Sequence, residues 1–248
     1  MNRIASSQTQ ASFPALTYIG IDGVLVRFAD RVTEQGNRAA LAFHTHMSHA
    51  GIEGVLESAP SLIAVYLRLD ISGDVSAIVQ KVREALTARD WFSEPATEGR
   101  LWTIPCCFDG PQLAEAADLA GVSEQAAIKE LTQAQVRVLT IGFAPGQPYL
   151  GNLPEHWNLP RMSGIAPNVP ACALVVAVRQ LIIFANAAPT GWRHIGTTGF
   201  QDFQRERAEP FAFRAGDLVQ FSKVGRGEMD ALILREDGLG GAICEALT

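Results

Sequence analysis

Apolar positions over residues 16–28 fall into two short runs around Gly20 and the Asp22-Gly23 turn pair, which predicts strands at 16–19 and 24–28 joined as a hairpin. Thr33 then precedes Ala39, Ala40, Phe43 and Met47 at near-helical spacing, and Gly51 offers a left-handed stop, so a capped helix is expected between them. Strands are expected near 52–56 and 62–69. Ser72 or Asp74 can cap a second helix, in which Val75, Ile78, Val79, Val82 and Leu86 make one apolar stripe.

The pattern changes after DWFSEPATEG at 90–99, a turn-rich stretch that reads as a boundary between lobes. A strand over 100–106 is followed by a helix with Pro111 in its first turn, running to Ala120 and stopped by Gly121; Ser123 caps another helix to about Leu131. Beyond Val136 the periodicity is that of short strands, at 136–142, 173–178, 181–185, 192–198 and 218–221, separated by turns. Such spacing predicts a compact barrel or sandwich. The expected division is an α/β lobe over 1–95, a β-rich domain over 96–223 and a tail over 224–248, an α+β chain as a whole.

Composition narrows the function classes. At 248 residues, 48% apolar and 19% charged, the chain has length and apolar content for a packed core. A net charge of −6 without a Lys/Arg cluster argues against nucleic acid as a partner. The longest apolar run, about 171–178, is far short of a membrane span, and the first ten residues have no signal-peptide core; a cytoplasmic protein is expected. Cys106, Cys107, Cys172 and Cys244 lack C-x-x-C spacing and read as reduced, mostly buried thiols. His44, His46 and His49 form one cluster, but their spacing does not place them on one helix face, so no metal site is expected. There is no phosphate-loop motif, no G-x-G-x-x-G and no G-x-S-x-G elbow, which favours a subunit over a self-contained enzyme.

The connection from 142 to 170 is long for a structureless loop and is expected to be functional. It opens with GFAPGQPYLGNLP, where prolines fix φ, glycines permit positive φ, and Phe143 and Tyr149 supply aromatic surface. This run, with the opening IGIDGVLVRFAD, the later PTGWRHIGTT and the closing FRAGDLVQF, resembles the family of the B-type subunit of 5-oxoprolinase. The same family includes Kip-type inhibitors of a histidine kinase and proteins labelled allophanate hydrolase subunit 1, and it corresponds to subdomains C and D of a carboxyltransferase domain. The resemblance covers about residues 17–224, in order and spacing.

The resemblance implies a small α/β lobe followed by a cyclophilin-like β-barrel. It further implies a subunit that works with C-type and A-type partners to open a lactam or amide with ATP, the nucleotide being bound only with those partners. A Kip-type module that docks on a histidine kinase is the alternative, as is a scaffold without catalysis. The implied pocket wall comprises Phe143, Pro145, Gly146, Tyr149, Arg161, Gln180 and Trp192, with Arg161 and Gln180 the groups suited to a carboxylate or lactam. His194, beside Trp192, is expected to pack rather than to act as acid or base.

The chain also departs from the family pattern. Leu131-Thr132 stand where a His-Ser is usual, Gln147 replaces a Phe, Ile165-Ala166 replace Pro-Arg, and Val178-Arg179-Gln180-Leu181-Ile182 replace Gly-Gly-Gln-Thr-Gly. Loss of those glycines is expected to close space a ligand would use. In the tail, MDALILREDGLGGAI resembles the opening of the C-type partner, as a truncated fusion would; a terminal strand with a frayed end is the plainer expectation.

Overall fold

A computed structural model describes residues 12–93 and 99–247. It divides into two compact units, 1–95 and 96–248. Among the described residues no helix is long and apolar enough to cross a membrane.

The first unit contains strands β1 (Ala15–Ile19) and β2 (Gly23–Arg27), helix α1 (Glu34–Ala50), strands β3 (Val55–Ser61) and β4 (Ala64–Leu69), and helix α2 (Val75–Thr87). The sheet is antiparallel in the order β1-β2-β4-β3. Alternation sends Val24, Val26, Val65, Leu67 and Leu69 to one face, where they meet Phe43 and Met47 of α1 and Ile78, Val79 and Val82 of α2. Thr33 Oγ1 accepts the Gly36 amide at 3.1 Å and Gly51 ends α1 at φ +56, as its sequence predicts. Of the two candidate caps for α2, Asp74 takes the role, accepting the Ala77 amide at 3.0 Å, while Ser72 bonds Asp70. Strand β3 runs on to Ser61, past the expected 52–56, because Glu57, Ser58 and Pro60 interrupt the apolar pattern while an edge strand tolerates them.

The second unit opens with β5 (Arg100–Cys107), α3 (Leu113–Leu119), α4 (Glu124–Gln133), β6 (Gln135–Ile141) and β7 (Pro148–Gly151). A short 3-10 turn, Glu155–Trp157, precedes β8 (Ala166–Val169), β9 (Ala173–Ala177), β10 (Gln180–Ile183), β11 (Ala188–Thr190), β12 (Arg193–Thr198) and β13 (Leu218–Lys223). Helix α5 (Arg226–Ile233) and strand β14 (Ile243–Ala246) complete it. The order β12-β9-β10-β7-β6-β13-β5, with β5 pairing back onto β12, closes a seven-strand barrel. The chain is therefore α+β with a barrel lobe, as expected.

Leu150, Leu174, Val176, Leu181, Ile183 and Ile195 fill the barrel together with Leu131 of α4 and Trp157. The opposite face of β9 and β10 carries Ala173, Val175, Ala177 and Ile182, packed with Val169, Phe184 and Trp192. The ribbon of β8 and β11 contributes Ala166, Val169 and Ala188 to that outer cluster.

Residues 142–170, expected as one long loop, include β7, a closing strand of the barrel, and β8. Residues 224–247 supply α5 and β14, the latter paired with β5 from Ile243↔Thr103 to Ala246↔Arg100. Asp217, in the FRAGDLVQF run, ties the start of β13 to β5: it accepts from Arg100 at 2.6 and 3.1 Å, from Trp102 Nε1 at 3.2 Å and from the Arg214 amide at 2.8 Å.

Candidate functional site

The loop after β6 is shaped by its own backbone. Gly142 N–H donates to Gln147 O, and Gln147 N–H to Ala144 O, both at 3.1 Å. Phe143 and Gly146 both adopt left-handed φ, +72 and +79. The loop presents Phe143 and Pro145 to solvent, Phe143 being 82% exposed. Gly146, by contrast, is buried: a Cβ there would lie 2.9 Å from the carbonyl of Asp202. Gln147, where the family resemblance leads one to expect Phe, is buried and its Oε1 accepts from the Ala185 amide at 3.4 Å.

Tyr149, Trp192 and Arg161 come together on the outer face of the barrel. Register places Tyr149 opposite Ile182 and Ile182 opposite Val175, so one row of side chains runs across β7, β10 and β9. Trp192 meets Tyr149 edge-on, ring centroids 6.4 Å apart at 75°. The Arg161 guanidinium carbon lies 5.5 Å from the Trp192 ring centroid, a cation–π contact. A bond from Met162 N to Gly191 O at 2.7 Å fixes the two segments side by side. Arg161 is exposed and has no acidic partner among the described residues. Gln180, two residues from Ile182 on β10 and hence on the same face, is buried at 8% exposure. The structure thus gathers four of the seven expected residues on one sheet face, sets Phe143 and Pro145 at a loop tip, and backs Gly146 onto Asp202.

Asp202 carries no signal in the sequence because QDFQRERAEP reads as a polar surface loop. Its carboxyl is 1% exposed and neither oxygen has a hydrogen-bond partner. Burial pushes its pKa well above the usual carboxylate range, against the pull of Arg207.

The positions that depart from the family pattern have structural explanations. Leu131 is wholly buried in the barrel core, and Thr132 Oγ1 donates back to the carbonyls of Ile128 and Lys129. Val178 and Arg179, at φ +44 and +64, form the tight turn between β9 and β10, where Ala177 pairs with Gln180. Glycine at those two positions would serve the turn; at the third, Ile182 packs on the outer face in register with Tyr149, where its side chain takes up space that a glycine would leave. Arg179 is held by Leu153 O at 2.8 Å and Glu155 at 2.6 Å.

The other reactive side chains have structural partners. His194 bonds Gly196 O at 3.0 Å and burial lowers its pKa, in keeping with a packing role. His44 bonds Ser58, His49 bonds the Thr45 carbonyl and His46 packs on Trp91, so the three imidazoles serve different neighbours. Burial pushes the Cys172 thiol up to about 11 and raises that of Cys106 well above its ordinary value, which keeps both as thiols. Cys244 alone of the cysteines is exposed. In the first unit a cavity of about 220 Å³ is lined by Glu53, Asp70, Asp74 and Lys81, among others; Asp70 and Asp74 are engaged there with Ser72 and the α2 N-terminus.

Comparison with known proteins places this geometry in context. The chain is 27% identical over 229 residues to the B subunit of 5-oxoprolinase from Bacillus subtilis (strain 168), covering 86% of this chain and 94% of the relative. It is 34% identical over 175 residues to the B subunit of 5-oxoprolinase from Escherichia coli O157:H7, 67% of this chain and 77% of that one. The crystal structure of TTHA0988 superposes with a TM-score of 0.72 at 33% identity over 82% of this chain, which spans only 40% of TTHA0988. The Kluyveromyces lactis urea amidolyase shares the fold, with a TM-score of 0.75 at 14% identity over 94% of this chain and 16% of its own. The sequence pattern described as carboxyltransferase domain, subdomain C and D, matches residues 14–213, and the chain belongs to that family.

Proposed function

We propose that this chain is the B-type subunit of an ATP-dependent, 5-oxoprolinase-like amidohydrolase that opens a lactam or amide together with A- and C-type subunits. The observation that carries this reading is the stack of Tyr149, Trp192 and Arg161, which holds an exposed guanidinium beside a sheet face that also bears Gln180. A guanidinium without an acidic neighbour suits a carboxylate, and 5-oxoproline carries one next to its lactam. Gln180 offers both a donor and an acceptor, as a lactam edge requires. The relatives named as B subunits of 5-oxoprolinase support the substrate class and the need for partner subunits.

Ring opening adds water at the lactam carbonyl carbon and breaks the C–N bond, leaving a free amine and a new carboxylate; 5-oxoproline gives glutamate. The glycine-containing loop at 142–147 does not fit a phosphate cradle, because the amides of Gly142 and Gln147 are bonded to the loop's own carbonyls. No ATP-dependent step is therefore assigned to this chain's residues. Their part is to bind and orient the lactam.

The test is to co-express the chain with A- and C-type subunits, purify the complex and measure ATP-dependent glutamate release from 5-oxoproline. Turnover is expected only with all three chains, and Arg161→Ala is expected to raise KM about tenfold, the worth of one charge-assisted contact. Turnover by the isolated chain refutes the subunit reading, and a stable but inactive complex refutes the substrate. Failure to form a complex favours the Kip-type alternative, which inhibition of histidine-kinase autophosphorylation then checks.

A further inference from the structure

At the site two runs of three residues lie side by side and meet in antiparallel order. Arg193 Nη1 donates to Pro160 O at 2.6 Å, the Arg161 guanidinium carbon stands 5.5 Å from the Trp192 ring centroid, and Met162 N–H donates to Gly191 O at 2.7 Å. The approach is close: a Cβ on Gly191 would lie 3.6 Å from Arg161 Cβ. Arg161, which is exposed, is thus held through the carbonyl that precedes it and the amide that follows it. Pro160 adds a fixed φ to the same run. The Arg193 side chain is only 5% exposed, and a buried guanidinium requires acceptors for its N–H groups. Its other acceptor among the described residues is Glu115 Oε1 at 3.0 Å, on a half-exposed side chain of α3. Glu115 therefore neutralises Arg193, and Arg161 is the guanidinium left to meet an anion.

We infer that Arg193, tied to α3 through Glu115, is a positioning residue that fixes the Arg161 guanidinium over Trp192 and acts on a carboxylate ligand only through Arg161. The inference deepens the proposed function and rests on it for that carboxylate. An arginine that samples many rotamers must give them up when it meets a ligand, so a side chain held in advance binds more tightly. Without Arg193 the run keeps the Met162–Gly191 bond but loses the hold on Pro160 O, and Arg161 is free to leave the ring. Lysine cannot take the place of Arg193, because a single ammonium lacks the planar fork that sends one N–H to Glu115 and another to Pro160 O. Since the effect passes through Arg161, it has a ceiling, which is the loss of Arg161 itself. A role confined to stability has no such ceiling and adds to that loss.

The test has two readouts, both on the full chain. In the three-subunit complex, Arg193→Met is expected to raise KM for 5-oxoproline about five- to tenfold with kcat within about twofold, and to add nothing to Arg161→Ala in the double variant. Glu115→Ala is expected to raise KM about threefold, and Glu115→Gln, which keeps an acceptor for the Arg193 Nε–H, by less. The second readout needs no ligand. The NMR resonance of the Arg161 Nε–H group, identified by its loss in Arg161→Lys, is shifted by the Trp192 ring; in Arg193→Met it is expected to move to the position it takes in Trp192→Leu. An unmoved resonance, an unchanged KM or additive losses in the double variant overturns the inference, and Glu115→Ala decides the same points where Arg193→Met does not fold. A three-subunit complex without turnover overturns the proposed function, and the resonance then decides the positioning by itself.

Discussion

Removing the Asp217 carboxylate tests how the second unit is held together. The side chain is 5% exposed and that of its partner Arg100 is 22% exposed, so the pair is largely out of water. Asp217→Ala strands the guanidinium with one remaining acceptor, Ala212 O at 2.9 Å, and leaves the Trp102 indole N–H and the Arg214 amide without theirs. Breaking one side of a buried pair costs about 3–5 kcal/mol; the residual exposure of Arg100 places the expected loss near the lower end, about 3 kcal/mol. Arg100→Ala is milder, about 2 kcal/mol, because Asp217 retains its other donors. The double variant is expected to cost less than the sum of the singles by about 1–2 kcal/mol, since each single change strands the other partner. Urea unfolding followed by Trp fluorescence reads all four proteins. A loss below about 1 kcal/mol for Asp217→Ala, or strict additivity in the cycle, would refute the reasoning.

Three further outcomes follow from the geometry. Val178→Asn, at φ +44 in the β9–β10 turn, is expected to stabilise the chain by about 0.5–1 kcal/mol, because Asn tolerates the left-handed region that a β-branched residue resists; an unchanged or lower unfolding midpoint counts against it. Gly146→Ala combines φ +79 with a 2.9 Å approach to the Asp202 backbone and is expected to cost about 1–3 kcal/mol, whereas an unchanged midpoint would show that the loop does not pack on Asp202 as described. Because the Asp202 pKa is raised on folding, its ionisation opposes the fold: stability is full below the unfolded carboxylate pKa of about 4 and falls as pH rises toward the folded value. Asp202→Asn removes that slope, so its stability relative to wild type is expected to grow from near zero at pH 4 to a clear gain at pH 7; a pH-independent difference in paired melts would contradict the burial of an orphaned acid.

Helices α1 to α4 are legible in the sequence because their signals are local, whereas α5, which starts at Gly225 without a side-chain cap, is not. Thr33, Asp74, Ser123, Gly51 and Gly121 each act within a turn of the helix they start or stop, and the apolar stripe of α2 is complete in its own residues. The elements that the pattern does not reveal depend on distant partners. Strand β7 has four residues bounded by Pro148 and Gly151 and is a strand because β6 and β10 flank it. Strand β14 answers the expectation of a terminal strand, but its partner β5, roughly 140 residues earlier in the chain, is visible only in the fold. The site shows the same division. Tyr149, Arg161, Gln180 and Trp192 are named through the family resemblance together with their chemistry, but only register and the Met162–Gly191 bond bring them to one face. Asp202 offers no local sign at all, since a carboxylate among Gln, Arg and Glu looks solvated until the fold buries it.

Resemblance and reactivity therefore reside in partly different residues. In PTGWRHIGTT, Arg193 is 4% exposed and spans from Glu115 on α3 at 3.0 Å to Pro160 O at 2.6 Å, and Thr198 closes onto Cys172 O at 2.9 Å. In FRAGDLVQF the tie is Asp217. These residues hold the barrel and bring the segment carrying Arg161 beside Trp192, so a chain can keep them and keep the family's shape whatever it binds. On the function proposed above, recognition falls instead to the exposed Arg161 guanidinium and the buried Gln180, whose side chains take no part in the bonds that hold the barrel. The departures at Leu131 and Val178-Arg179 belong with the scaffold, as a core side chain and a turn, whereas Ile182 stands on the face of the candidate site itself, in register with Tyr149.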